Sequence, residues 1–229
     1  MITGNIALAR MLIDKYSVPL DRLRRSRTVL HEAVVNGTLE MTQLLLSAGA
    51  NPNLLGTSRE SYGLNYPFSP PEWTALHFAV GRQLSYRGEA VDPATTEAMV
   101  RLLVKHGADI DSMGKRGETP LSLVVSDAVS HVSRARRFDE RYRQFRYPPK
   151  DPFSGIGIES RRWLARVLLE LGADKLVALD NEFVFNFTSN YQVEDIWLVK
   201  EHLDAIDAER LGGAEDSTPR FSLMDFTFQ

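Results

Sequence analysis

Cysteine is absent from the 229 residues. Its absence excludes disulfides, thiolate metal sites and cysteine nucleophiles, and it agrees with a reducing compartment. Long apolar runs are absent too: none approaches the roughly 20 residues that a helix needs to cross a bilayer. The opening "MITGNIALARMLIDKYS" puts Arg10, Asp14 and Lys15 where a secretory segment would be uncharged. An intracellular protein of the cytoplasm or nucleus, with no membrane attachment, is expected. No sign of charge dominates, since 27 Lys and Arg against 30 Asp and Glu leave a net charge of -3 and a pI near 6.0. A nucleic-acid binder would carry a strongly basic balance, so nucleic acid is not the expected partner. Catalytic signatures are equally scarce. His106, His131 and His202 are scattered without a metal-ligand spacing, and "SGIGIES" lacks both the G-K-[ST] ending and the preceding strand of a phosphate loop. There is no G-x-S-x-G elbow. No enzymatic activity, metal or cofactor is expected.

What the chain does contain is a repeat. Thr28-Val29-Leu30-His31-Glu32-Ala33 returns as Thr74-Ala75-Leu76-His77-Phe78-Ala79 and, more loosely, as Thr119-Pro120-Leu121-Ser122-Leu123-Val124. Each copy is followed by a leucine-rich segment ending in Gly-Ala: "LLLSAGANPN", "RLLVKHGADID" and "VLLELGAD". The threonine suits a helix start, and Leu30, Ala33 and Val34 make an apolar face at helical spacing. Met41, Leu44 and Leu45 do the same in a second helix, which Gly49 ends in the left-handed conformation; Gly107 and Gly172 repeat that stop.

These motifs resemble the ankyrin repeat, whose hallmark is T-P-L-H-x-A opening the first of two antiparallel helices. The resemblance covers about residues 4 to 175. The intervals agree with it: Thr28 to Gly49 is 21 residues and Gly107 to Thr119 is 12, which together make the 33-residue period. The resemblance implies an all-α solenoid, a non-catalytic protein-binding role, and a structural use for His31 and His77, whose rings tie neighbouring turns together. Counting back 12 from Thr28 reaches Tyr16, so "GNIALARMLIDKY" takes the second-helix position of an earlier repeat and the chain opens in mid-repeat. The same arithmetic finds about 13 extra residues in the finger loop "LLGTSRESYGLNYPFSPPEW", about 12 between the helices near "LSYRGEAVDPAT", and 32 between Thr119 and Gly172. Each repeat of a stack touches only its neighbours, so loops can grow outward at these joints. The expected plan is a partial repeat at 1–27, repeats at 28–73, 74–118 and 119–179, a helical cap at 180–213 and a tail at 214–229. Within the largest insertion, apolar residues from Leu121 to Phe145 recur at steps of three or four, predicting a helix from about Pro120 to Arg146 that projects from the stack.

Charge marks a candidate surface. "SRARRFDERYRQFRYPPK" has seven basic residues against Asp139 and Glu140, while Arg22, Arg24, Arg25 and Arg27 fall in one finger loop and Lys115 with Arg116 in another. Motif offsets put Arg25, Arg27, Trp73, Phe78, Arg116 and Glu118 on first helices or fingertips, away from the buried stack, as the candidate partner-binding set. Trp73 and Phe78 would be aromatic anchors and the arginines would steer an acidic protein partner to the concave face and fingers. Trp73 is equally compatible with packing beneath Tyr62, Tyr66 and Phe68. A monomer is expected. Two alternatives stay open: a regulatory segment of a larger enzyme or transcriptional regulator, and a nucleic-acid binder that uses the Arg-rich helix. Residues 180–229 hold eleven acids and three bases, so the tail with its apolar "FSLMDFTF" is expected to fold back over the basic finger edge or the Arg-rich helix and compete with the partner. Proteolysis is expected first around 56–72 and 147–157, which are rich in glycine, proline and serine.

Overall fold

The computed structural model describes residues 6–24, 26–57, 72–84, 92–142, 159–179 and 193–211. The helices are α1 (Ile6–Tyr16), α2 (Val29–Val35), α3 (Leu39–Ser47), α4 (Ala75–Leu84), α5 (Pro93–Lys105), α6 (Pro120–Tyr142), α7 (Glu159–Glu170), α8 (Lys175–Leu179) and α9 (Val193–Arg210). Helices α2 with α3, α4 with α5 and α6 with α7 pack as pairs, α2 on α4 and α4 on α6 join successive pairs, and α9 packs on α6 and α7. Strands Gly56–Thr57 (β1) and Glu72–Trp73 (β2) pair antiparallel, Gly56 opposite Trp73. The two ends of the finger insertion are therefore held together by one short strand pair. The other interruptions likewise leave α4 packed on α5 and α6 on α7.

Local chemistry sets the helix ends. Thr28 caps α2 by accepting the His31 amide on its hydroxyl, and Asp92 caps α5 by accepting the amides of Ala94 and Thr95, with Pro93 at the first helical position. All three leucine-rich helices stop the same way. Gly49, Gly107 and Gly172 have φ of 90°, 86° and 98°, and the next residue's amide reaches back to Leu45, Leu103 and Leu168, each at 3.0 Å. A Cβ at these glycines would meet nothing within 4 Å, so backbone conformation rather than space selects glycine there.

The fourth stop corrects the count by one residue. Ser17, not Tyr16, holds the left-handed position, with φ of 46° and its amide on the Ile13 carbonyl. A side-chain ladder confirms the register. Asn53 and Asp111, four residues past a glycine, accept the amides of Asp109 and Asp174, two residues past the next one, at 2.9 and 3.0 Å. Asp21, four past Ser17, accepts the Asn51 amide at 2.9 Å in the same manner. Helix α1 thus ends as α3, α5 and α7 do, with serine where they have glycine. Removing the Cβ penalty with Ser17→Gly should raise the unfolding free energy by about 0.5–1 kcal/mol. The urea midpoint should rise without a change in slope; a fall would show that the serine side chain is needed.

The core is continuous from Leu30 to Ile206. Second helices bury Leu44 and Leu45, Met99 and Leu103, Leu164 and Leu168, and the first helices face them with Leu30, Leu76 and Leu121. Helix α6 is buried on every side from Pro120 to Val129, Ser122, Ser126 and Asp127 included, because α4, α7, α8 and α9 all pack on it. Its backbone runs on to Tyr142, but the Arg-rich side chains and the projection expected of them lie outside the described residues. So do the proteolysis segments, apart from residues 56, 57 and 72, and the tail. Helix α9 buries Val199, Leu203 and Ile206, whereas Trp197 is exposed beside Lys200. No described helix is long and apolar enough to cross a membrane.

Candidate functional site

The two motif histidines are structural links. The Thr28 amide donates to His31 Nδ1 at 3.0 Å, leaving Nε2–H to donate to the Leu54 carbonyl at 3.0 Å. His77 repeats this, with Thr74 Oγ1 2.8 Å from Nδ1 and the Glu118 carbonyl 2.9 Å from Nε2. Each ring therefore joins its own helix start to the next finger. In the third motif Ser122 replaces histidine and keeps only the local half: the Thr119 amide donates to its Oγ at 2.7 Å. Burial lowers both imidazoles to a pKa of about 4, so they are neutral at pH 7. Gly56 is required here, because a Cβ would come within 2.8 Å of His31 Nδ1.

Most of the predicted binding set serves the same framework, which corrects its expected exposure. Trp73 and Phe78 are fully buried, as is Glu118, and Arg27 is 5% exposed. The Trp73 indole N–H donates to Glu118 Oε1 at 2.7 Å, and the Arg116 amide donates to Oε2 at 2.9 Å. Burial raises the Glu118 pKa, against the lowering effect of its own amide, the indole and the Arg116 amide. Trp73 also lies on Gly81, where a Cβ would approach Cζ3 to 2.8 Å. Phe78 faces the preceding repeat: its ring meets that of His31 edge-on at 5.1 Å and the Arg27 guanidinium at 5.1 Å. Arg27 turns inward, its Nε donating to the Thr57 carbonyl at 2.8 Å. The physical reason is common to all four. Fingers of adjacent repeats are hydrogen-bonded to each other, Thr57 N to Ser26 O and Lys115 N to Glu72 O, so side chains at their bases are enclosed between repeats. Arg116 is half-buried, and Arg25 lies outside the described residues, as do Tyr62, Tyr66 and Phe68. Lys115 pairs with Glu72, so the basic edge keeps Arg22 and Arg24 as exposed cations among the described residues.

The surface that sequence reasoning missed is at the N-terminal end. Helix α1 packs on α3 but has no buried residue. Beside it, Ala9, Leu12 and Ile13 with Val18 and Leu20 form one wall of a groove of about 440 Å³; Val29, Glu32, Ala33 and Asn36 of α2 form the other, over a floor of Met41 and Leu45. The side-chain polar groups on that wall are partly engaged already: Asn36 donates to the Glu32 carbonyl, and Thr38 beside it to the Ala33 carbonyl. The signal in the sequence was the breadth of the apolar arc of α1, where Ala7, Leu8, Met11, Leu12 and Tyr16 extend well beyond the side occupied by Ile6, Ala9 and Ile13. One helical neighbour cannot cover an arc that wide.

The family model for the ankyrin repeat matches residues 25–56 and 72–115, which contain α2, α3, α4 and α5. A solved structure, the ankyrin repeat domain of Bcl-3, described as a unique member of the IkappaB protein family, aligns with 87% of this chain and 95% of its own at 21% identity, with a TM-score of 0.30. A superposition that loose says nothing about what this chain binds. The ankyrin repeat is in general a protein-protein interaction module and typically non-catalytic. With the family match over two helix pairs, the glycine stops at Gly49 and Gly107 and the Thr-His links between turns, residues 25–56 and 72–115 are ankyrin repeats.

Proposed function

We propose that this chain is a non-catalytic protein-binding module that meets its partner at the N-terminal end of the stack, through α1 and the outward side of α2. The observation that carries this reading is exposure. Leu8, Met11, Tyr16, Leu23 and Val29 are each 46–60% exposed and fall within 22 consecutive residues. Contiguous apolar exposure on that scale marks a binding surface, whereas isolated exposed residues such as Trp197 or Leu176 are ordinary. The concave face and fingers take part through Val29 and Glu32 of the first helix pair, and Arg22 and Arg24 beside them supply steering toward an acidic rim on the partner. Comparing proteins captured from lysate by the wild-type chain and by Leu8→Asp/Met11→Asp tests the reading. Both positions are exposed, so the variant should keep its fold and lose the captured partner. Identical capture by a folded variant would place the binding surface elsewhere.

A further inference from the structure

Exposed apolar side chains recur along the fingers at one register. Counted from the stops at Ser17, Gly49 and Gly107, the sixth residue on is Leu23, Leu55 and Met113 in turn, and these are 54%, 38% and 59% exposed. The pleat explains why they lie outside. The seventh residue is the one paired across its own finger: the Arg24 amide donates to the Arg27 carbonyl, Gly56 lies opposite Trp73, and the Gly114 amide donates to the Glu118 carbonyl. In the second and third of these fingers that residue faces inward, since a Cβ on Gly56 would meet His31 at 2.8 Å and one on Gly114 would meet Glu118 at 2.6 Å. Neighbours along an extended chain point to opposite faces, so Leu55 and Met113 point out, and Leu23 holds the equivalent place. Adjacent fingers are joined by Thr57 N to Ser26 O and by Lys115 N to Glu72 O. Equivalent residues are therefore two strand spacings apart, about 9.6 Å.

We propose that this row binds an extended, polyproline-II-like segment of a partner protein, with an apolar residue at every third position and acidic residues at the end that meets Leu23. The proposal rests on the protein-binding reading above and adds the form of the ligand. Spacing selects the conformation. Polyproline II has three residues per turn and rises about 3.1 Å per residue, which sets every third side chain on one face about 9.3 Å apart. An α-helix offers its seventh residue at about 10.5 Å, about 0.9 Å too far at each step. A β-strand sends alternate residues to opposite faces, so its every third residue cannot share one. Backbone pairing agrees with the spacing. The amides of Arg24, Thr57, Gly114 and Lys115 are already engaged within and between fingers, and a polyproline II backbone asks for no such partner because water solvates it. Charge sets the direction. Arg22 and Arg24 flank Leu23, both exposed and neither ion-paired with a described acid, while Asp21 beside them accepts the Asn51 amide. Next to Met113, Lys115 is instead paired with Glu72.

The test titrates the full-length protein into a fluorescein-labelled peptide that has leucine at every third position between prolines and two aspartates at one end, made in both chain directions. One direction should give saturable anisotropy. Leu55→Asp and Met113→Asp should each weaken binding about tenfold, the loss typical of a binding anchor. Both positions are exposed, so the fold should survive, which an unchanged thermal melt verifies. Arg22→Glu/Arg24→Glu should weaken binding severalfold and should bind a peptide with lysines in place of the aspartates better than the wild type does, a rescue that a structural defect would not produce. Absence of saturable binding in both directions, or binding indifferent to Leu55→Asp and Met113→Asp, overturns the proposal. Tighter binding of a helical peptide with leucine at every seventh position also overturns it, as does self-association in sedimentation that Met113→Asp abolishes, since a helix or a second copy would then be the occupant. The lysate comparison keeps the two readings apart. Capture lost in Leu8→Asp/Met11→Asp without peptide binding rejects the row alone, and peptide binding retained in that variant supports the row whatever the capture shows.

Discussion

Trp73→Ala is expected to lower the unfolding free energy by about 5 kcal/mol, enough to leave the middle of the stack close to unfolding at 25 °C. Truncating a buried tryptophan costs roughly 3–5 kcal/mol through lost transfer energy and the cavity left behind. Here the indole also satisfies Oε1 of a fully buried carboxylate at 2.7 Å, and orphaning such an acceptor adds about 1–3 kcal/mol. Folded domains have only about 5–15 kcal/mol to lose. Trp73→Phe separates the contributions, since it keeps most of the packing against Gly81 and Phe78 while removing the N–H donor; it should cost less than the alanine variant. Because a repeat array is stabilised by neighbour contacts, hydrogen exchange in Trp73→Ala should rise first in α4 and in the turn from Gly114 to Glu118. A loss below about 1 kcal/mol, accompanied by loss of partner binding, would restore the original expectation that Trp73 is a surface anchor.

Mild acid should destabilise the fold between pH 6.5 and about 4, and the motif histidines are the reason. Each is held at a pKa of about 4, chiefly by burial, against 6.5 when free. Within that window the unfolded chain binds protons that the folded chain refuses, so stability falls as pH falls and is fully present above 6.5. At pH 5 the difference is about 2 kcal/mol per histidine, or about 4 kcal/mol together, at 1.36 kcal/mol per pKa unit. Glu118 works in the opposite direction. Its folded pKa is raised by burial, so the folded state takes up that proton first and regains a little stability toward the acid end of the window. Urea unfolding at pH 7, 6 and 5 should show the midpoint falling steadily, while the His31 and His77 ring resonances show no titration until the pH nears 4. A midpoint constant from pH 7 to 5 would mean that the two rings are not buried neutral.

The repeat was legible because its local chemistry recurs within short stretches of chain. Thr28 with His31, Asp92 with Pro93 and the glycines at 49, 107 and 172 each act on their own helix end, and a residue's effect on its own backbone needs no tertiary knowledge. The intervals then located the insertions, since a stack tolerates extra chain wherever neighbours do not touch it. The binding set was not legible. Motif offset places Trp73, Phe78, Arg27 and Glu118 on a finger base or a first helix, but whether such a residue meets solvent depends on the adjacent repeat, which lies 40 or more residues away in sequence. Trp73 meets Glu118, and Phe78 meets His31 and Arg27, across that distance. The exposed N-terminal end was hidden for the converse reason. The apolar arc of α1 reads as a buried helix, because periodicity reports how much of a helix is apolar and not which part has a neighbour. By itself the sequence determined the repeat, its stops and its capping pairs, all of which are contacts between residues a few positions apart. Only the tertiary structure decided which faces of the described helices stayed open, because solvent exposure belongs to the assembled stack and not to one helix.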